Sequence, residues 1–195
     1  KHIIQESIYG VDIDRSAIDI ARLRLWLSLV VDEDDLEPIE TLPNLDYKIV
    51  CGNSLIGMPD GTMRDLEVEK ELEALKEEFY NVTNAPRKKI LRNQINKKIR
   101  ELLDTAESFA GYKIDFDFKL YFSEVWREKG GFDALIANPP YGAKLSKDEK
   151  TLFKNQFSDV HMRTPDTFNY FISNGLKLLK DGGVLNYIVP NNLLF

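Results

Sequence analysis

Residues 132–141 read Phe-Asp-Ala-Leu-Ile-Ala-Asn-Pro-Pro-Tyr, an apolar run that stops on two consecutive prolines. Proline fixes φ and removes a backbone donor, so a pair of them ends a strand in a rigid corner. Gly130-Gly131 bounds the run on its other side. The spacing therefore predicts a buried strand over 132–137 and a corner at Asn138-Pro139-Pro140-Tyr141.

The flanking chain sets that strand in an α/β pattern. Ser7 to Ile13 is apolar and β-branched and predicts a short buried strand. Asp14 follows as an N-cap, and a helix over 15–31 carries Ile18, Ala21, Leu25 and Leu29 on one face. An acidic loop, Asp32-Glu33-Asp34-Asp35, comes next, with Pro38 and Pro43 as breakers. Tyr47 to Cys51 predicts a second strand, ended by Gly52-Asn53, which completes a βαβ unit. After the corner, a polar loop is expected over 142–164. A helix over 166–179 then carries Phe168, Phe171, Ile172, Leu176 and Leu179. A turn at 180–183 and a strand from Val184 to Val189, stopped by Pro190, complete the pattern.

The middle of the chain differs. Val68, Leu72, Leu75, Phe79 and Val82 recur at coiled-coil spacing, as do Leu91, Ile95, Ile99, Leu102 and Ala106 after Pro86. Residues 65–78 hold seven acidic side chains, and residues 81–100 hold seven basic ones with no acidic residue. An antiparallel hairpin would lay the acidic arm beside the basic one. Its charges either pair across the hairpin or leave the basic arm to touch nucleic acid or a partner chain. The expected organisation is a first α/β part at 1–59, a helical insertion and connection at 60–127, and a second α/β part at 128–195.

Composition excludes several classes. With 43% hydrophobic and 30% charged residues the 195-residue chain is globular, and no apolar run is long enough for a membrane span. Lys1 to Glu6 has no signal-peptide pattern. The lone Cys51 allows no internal disulfide and no cysteine zinc cage, and His2 and His161 are too sparse for a metal cluster. A cytoplasmic, metal-free protein is expected. The net charge of −6 argues against the whole chain being a nucleic-acid clamp, though not against a local basic face.

Four places could carry chemistry. Ligands bind beyond the carboxyl ends of strands in open α/β sheets. There the Asn138 amide oxygen, the Pro139 carbonyl (followed by a residue without an N–H) and the Tyr141 ring suit a planar group that donates two hydrogen bonds. An exocyclic NH₂ on a base is such a group. Asp12, in Val11-Asp12-Ile13-Asp14, could accept from ribose hydroxyls while Ile13 lies against a base, or both aspartates could merely cap the next helix. Asn53 could read an adenine edge or simply form a turn. Phe171 could wall a nucleoside pocket or pack in the core.

Together these segments resemble one family. Tyr9-Gly10-Val11-Asp12-Ile13-Asp14, Gly52-Asn53-Ser54-Leu55, Asn138-Pro139-Pro140-Tyr141, Asp166-Thr167-Phe168-Asn169-Tyr170-Phe171 and Gly182-Gly183-Val184-Leu185-Asn186-Tyr187-Ile188-Val189-Pro190 occur here in its order. The chain is similar to the N6-adenine DNA methyltransferases that use S-adenosylmethionine. The helical insertion, the Gly-Gly-Phe-Asp at 130–133 and the aromatic stretch around Phe116–Trp126 make it most like the methyltransferase region of type IIG restriction–modification enzymes. In those, one bacterial or archaeal polypeptide joins nuclease, methyltransferase and target-recognition parts.

The resemblance implies a Rossmann-like methyltransferase sheet, incomplete at both ends, with an inserted helical hairpin. It implies that Asp12 holds the cofactor's ribose and that Ile13 and Phe171 sandwich its adenine. Asn53 stands where the family often has Asp and would contact the adenine amine. Asn138 and Pro139 would accept the target N6 protons, with Pro140 stiffening the corner and Tyr141 stacking on a base flipped from double-stranded DNA. The family's glycine-rich cofactor loop has no counterpart, since no Gly-x-Gly occurs in the chain. A target-recognition region and a nuclease site are likewise not found; Pro59-Asp60 and Asp148-Glu149-Lys150 read as chance. The chain is therefore expected to be a piece cut at both ends, inactive alone and without tight cofactor binding. Two other readings stay open: methylation of a protein glutamine or of ribosomal RNA, whose enzymes share the Asn-Pro-Pro-Tyr corner, and a non-catalytic scaffold that binds through the hairpin.

Overall fold

The computed structural model describes residues 7–31, 44–62, 65–163 and 166–191. The expected acidic loop with Pro38 and Pro43 lies outside these residues, and so does the side chain of Leu29. The chain forms two compact units, residues 1–123 and 124–195.

In the first unit, β1 (Gly10–Asp12) and β2 (Ile49–Cys51) pair in parallel, with Asp12 opposite Cys51. Helix α1 (Arg15–Val31) joins them as the crossover, and Asp14 starts it by accepting from the Ser16 N–H at 2.8 Å. Ile18 of α1 packs against Leu45 and Ile49, which fixes the helix on the strand pair. Both strands are shorter than the sequence pattern. The Lys48 and Ile49 N–H groups donate back to the Leu45 carbonyl, so a turn ends at Lys48 and only three residues join the ladder. Tyr47 leaves the sheet for the neighbouring helical core.

That core belongs to the hairpin of α2 (Leu66–Asn81) and α3 (Ala85–Ala110). Asp65 caps α2 by accepting from Glu67 and Val68. Asn84 caps α3, and Gly111 at φ +75° ends it in the left-handed conformation. Arg87 meets Glu78 beside the connection and Lys98 meets Glu71 further along, so the helices run antiparallel. Leu72, Phe79, Leu91, Ile95, Ile99, Leu103 and Ala106 interlock with Tyr47, Ile114 and Leu120. Each fully buried large apolar side chain here contributes about 1.5–3 kcal/mol. Leu103 takes the place expected for Leu102, which flanks the core half-buried. The insertion is tied to the α/β part by Asp46, whose carboxylate pairs with Arg22 of α1 and Arg92 of α3. Lys76 is buried, and its ammonium donates to the carbonyls of Leu120 and Tyr121 in the short helix α4 (Phe118–Tyr121).

Helix α5 (Ser123–Lys129) leads to the second unit, where β3 (Phe132–Ala137) pairs in parallel with β4 (Leu179–Tyr187). The expected turn at 180–183 is an irregularity within β4: pairing passes from Phe132–Leu179 to Ala134–Val184, and Gly182 has φ +77°. Helix α6 (Lys147–Gln156) occupies the expected polar loop. Its start is a capping box, Ser146 and Glu149 each bonding the other's backbone N–H. Helix α7 (Thr167–Leu178) buries Phe168, Tyr170, Ser173 and Leu178, while Leu176, expected inward, is exposed. The described strands thus form two parallel pairs, one in each unit. No described helix is long and apolar enough to cross a membrane.

Candidate functional site

Two strand-end clusters hold the residues singled out from the sequence. In the first unit the register of β1 and β2 brings Asp12-Ile13 and Gly52-Asn53 to the same carboxyl edge, where the Gly52 N–H donates to the Asp12 carbonyl at 2.9 Å. One carboxylate oxygen of Asp12 accepts from the Asp14 N–H at 2.7 Å. That bond closes a turn just before α1 and engages none of the helix's own N–H groups. The other oxygen has no partner among the described residues. Ile13 is 73% exposed directly after the strand, an unusual position for a β-branched apolar residue. Asn53 uses its side-chain oxygen to accept from the Leu55 N–H at 2.9 Å, a turn bond that fixes the side chain and leaves its NH₂ without a described partner.

The second cluster follows β3. Pro139 is buried, whereas Asn138, Pro140 and Tyr141 are exposed. No described group donates to the Pro139 carbonyl, and the residue after it has no N–H to offer. Tyr141 lies edge-on to Phe168 with ring centroids 6.5 Å apart. Its hydroxyl reaches both the Asn138 side-chain oxygen, at 2.8 Å, and the Ile188 carbonyl, at 2.7 Å.

The start of α7 ties the same corner down. The buried Thr167 hydroxyl donates to the Pro140 carbonyl at 2.7 Å, and the Asp166 carboxylate accepts from the Gly142 N–H at 3.1 Å. Sequence reasoning singled out Phe171 in this segment and missed both neighbours. A hydroxyl residue beside an N-cap aspartate was the available signal. Phe171 is half-buried on α7. Asp12, Ile13 and Asn53 thus gather at one edge of the first unit, and Asn138, Pro139, Pro140 and Tyr141 at one corner of the second. Chemically, the first edge offers an open carboxylate oxygen beside an exposed apolar side chain. The second offers acceptor oxygens next to an aromatic ring that is 46% exposed.

Among the described residues no three His, Cys, Asp or Glu side chains converge as a metal site. His161 instead meets the buried Tyr170 hydroxyl at 2.7 Å.

Residues 6–195 match the family described as Eco57I restriction-modification methylase. A putative type II restriction enzyme and methyltransferase of Methanocaldococcus jannaschii is 28% identical over 97% of this chain and 22% of its own length. A type II restriction enzyme and methyltransferase of Escherichia coli is 23% identical over the whole of this chain and 15% of its own length. The chain therefore spans about a fifth or less of the curated relatives it matches.

Proposed function

Because the chain belongs to the Eco57I restriction-modification methylase family, we propose that it carries the amine-methylating part of a DNA methyltransferase, acting on the N6 amine of an adenine flipped out of double-stranded DNA. The observation that carries this reading is the corner after β3. There no described group donates to the Pro139 carbonyl, Asn138 is exposed beside it in sequence, and the Tyr141 ring is partly exposed.

An adenine amine is a weak nucleophile because its lone pair is delocalised into the ring. Hydrogen bonds accepted from its two N–H groups by the Asn138 and Pro139 oxygens favour a pyramidal nitrogen and are strongest as the lone pair leaves the ring, so they lower the barrier. Extrusion of the base costs a few kcal/mol, and stacking on Tyr141 offsets about 1–3 kcal/mol of it. Pro140 keeps these groups in one arrangement, so little reorganisation is left to the reaction.

The first edge fits an adenosyl group. The open Asp12 oxygen would accept ribose hydroxyls, and Ile13 offers an apolar surface to a base. With its oxygen in the turn to Leu55, Asn53 has its NH₂ available to a ring nitrogen. That differs from the expected contact of its oxygen with the adenine amine. When bound, S-adenosylmethionine supplies a methyl group on a positively charged sulfur. The target-recognition and nuclease parts are proposed to lie in the remainder of a longer polypeptide, in keeping with the length of the relatives.

Labelled methyl transfer by the full-length protein to duplex DNA, with digestion of the product to nucleosides, tests the reading. N6-methyladenine is the expected product. Label appearing in protein glutamine or ribosomal RNA, with none in DNA, would overturn it.

A further inference from the structure

The two contacts of the Tyr141 hydroxyl cannot both be donations. It lies 2.8 Å from the Asn138 side-chain oxygen and 2.7 Å from the Ile188 carbonyl, and a phenol has one proton. The Ile188 carbonyl can only accept. The Asn138 amide can do either, because a half-turn about its last bond exchanges oxygen and nitrogen without changing its shape. Both contacts are satisfied together only when Asn138 turns its NH₂ to the phenol oxygen and the phenol donates to Ile188. The amide oxygen then faces away from Tyr141, with no described group engaging it.

Resting on the amine-methylating reading above, we propose that the Tyr141 hydroxyl is a positioning group that sets the orientation of the Asn138 amide. Its reference point is the Ile188 carbonyl, one residue beyond β4, whose own N–H is held by the Ala137 carbonyl at 3.0 Å. The orientation decides the chemistry. An amide oxygen toward the target amine accepts a hydrogen bond from its N–H and favours the pyramidal nitrogen whose lone pair is free. An amide NH₂ in that place donates to the lone pair that must attack and so opposes the reaction. The ring of Tyr141 and its hydroxyl therefore have separable roles, stacking and orientation.

Tyr141→Phe keeps the ring and removes only the hydroxyl. In the full-length protein its kcat for methyl transfer is expected to fall about fivefold to tenfold, the scale of one net hydrogen bond. KM for duplex DNA, and the fluorescence of a 2-aminopurine placed at the target position, are expected to stay at the wild-type values. An unchanged kcat overturns the proposal. So does a 2-aminopurine signal that falls in step with kcat, since the loss then lies in stacking. Asn138→Ala, assayed in parallel, separates the two levels of the argument. If it still methylates, the corner is not the amine acceptor and both readings fall. If it is inactive while Tyr141→Phe is fully active, only the positioning role falls.

Discussion

Thr167 Oγ1, at the first residue of α7, donates to the Pro140 carbonyl at 2.7 Å and so fastens the corner after β3 to the helix that crosses to β4. The side chain is 3% exposed, so solvent cannot easily replace it. Thr167→Val keeps the shape and deletes the donor, and is expected to cost about 1 kcal/mol of stability. Thr167→Ser keeps the hydroxyl and should lose less. Denaturant melts of the three proteins check the order. A Val variant as stable as the parent would show that the bond contributes nothing.

Asn138→Ala is expected to abolish methyl transfer while leaving cofactor affinity nearly unchanged in the full-length protein. Asn138 is exposed on the corner after β3 and is assigned to the target amine, whereas Asp12, Ile13 and Asn53 are assigned to the adenosyl group. Titration calorimetry with S-adenosylmethionine beside a methyl-transfer assay separates the two functions. Cofactor binding lost in proportion to activity would refute the assignment of Asn138.

The sequence disclosed those parts of the fold whose signals are local. Two prolines end β3 at Ala137, Asp14 caps α1, Pro86 marks the first turn of α3, and apolar spacing defines the hairpin. It did not disclose contacts made across the fold. Leu103 rather than Leu102 enters the core because the partners are Ile114 and Leu120 beyond the helix end as well as α2. Lys76 is buried because two carbonyls of α4, 44 and 45 positions away, accept from it. Asn53 follows the same logic in reverse. Its turn role was legible, and the structure shows its oxygen committed to that turn. The capping box of α6 is legible in Ser146-Lys147-Asp148-Glu149, although the polar character of the whole stretch reads as loop.

Gly52 lies where β2 leaves the sheet, and a Cβ there would stand 2.4 Å from Cβ and 2.6 Å from Cγ of the buried Phe116. Those atoms are the root of a packed ring and cannot swing aside. Gly52→Ala is expected to destabilise by about 1–3 kcal/mol, the usual range for overpacking. It should also displace the adjacent Asn53. Thermal denaturation checks the first effect; a melting temperature equal to the parent's would mean that Phe116 moves freely.

Asp133, near the start of β3, pairs with Lys180 and Lys129. Their ammonium groups, Lys180 foremost, hold its carboxyl down at about 2 against an ordinary value of 3.8. The unfolded chain therefore takes up the proton first as pH falls. The pairing stabilises fully above about pH 4 and is lost as pH drops through about 2. The pair is solvent-exposed, so the effect on stability is small. Carboxyl carbon shifts followed by NMR should give Asp133 a midpoint near 2, rising in Lys180→Ala. An ordinary midpoint would show that the lysines do not hold it.

The basic arm of the hairpin is engaged within its own unit. Arg87 pairs with Glu78, Lys98 with Glu71, Arg92 with Asp46, Lys97 with Glu101, and Arg100 with Asp104 and Glu107. Lys88 lies over the Phe79 ring, 5.4 Å from its centroid. These partners already offset the charge of the arm, which argues for charge pairing over a nucleic-acid surface. The two roles differ in their salt dependence. Each cation that neutralises a phosphate adds about 0.9 to the slope of log affinity against log salt, so removing two such cations would reduce it by about 1.8. Arg87→Gln with Lys98→Gln in the full-length protein is expected to leave the slope for duplex DNA within a few tenths of the parent's. A drop approaching two would put the arm on the DNA, and the pairs across the hairpin would then be ones that break on binding.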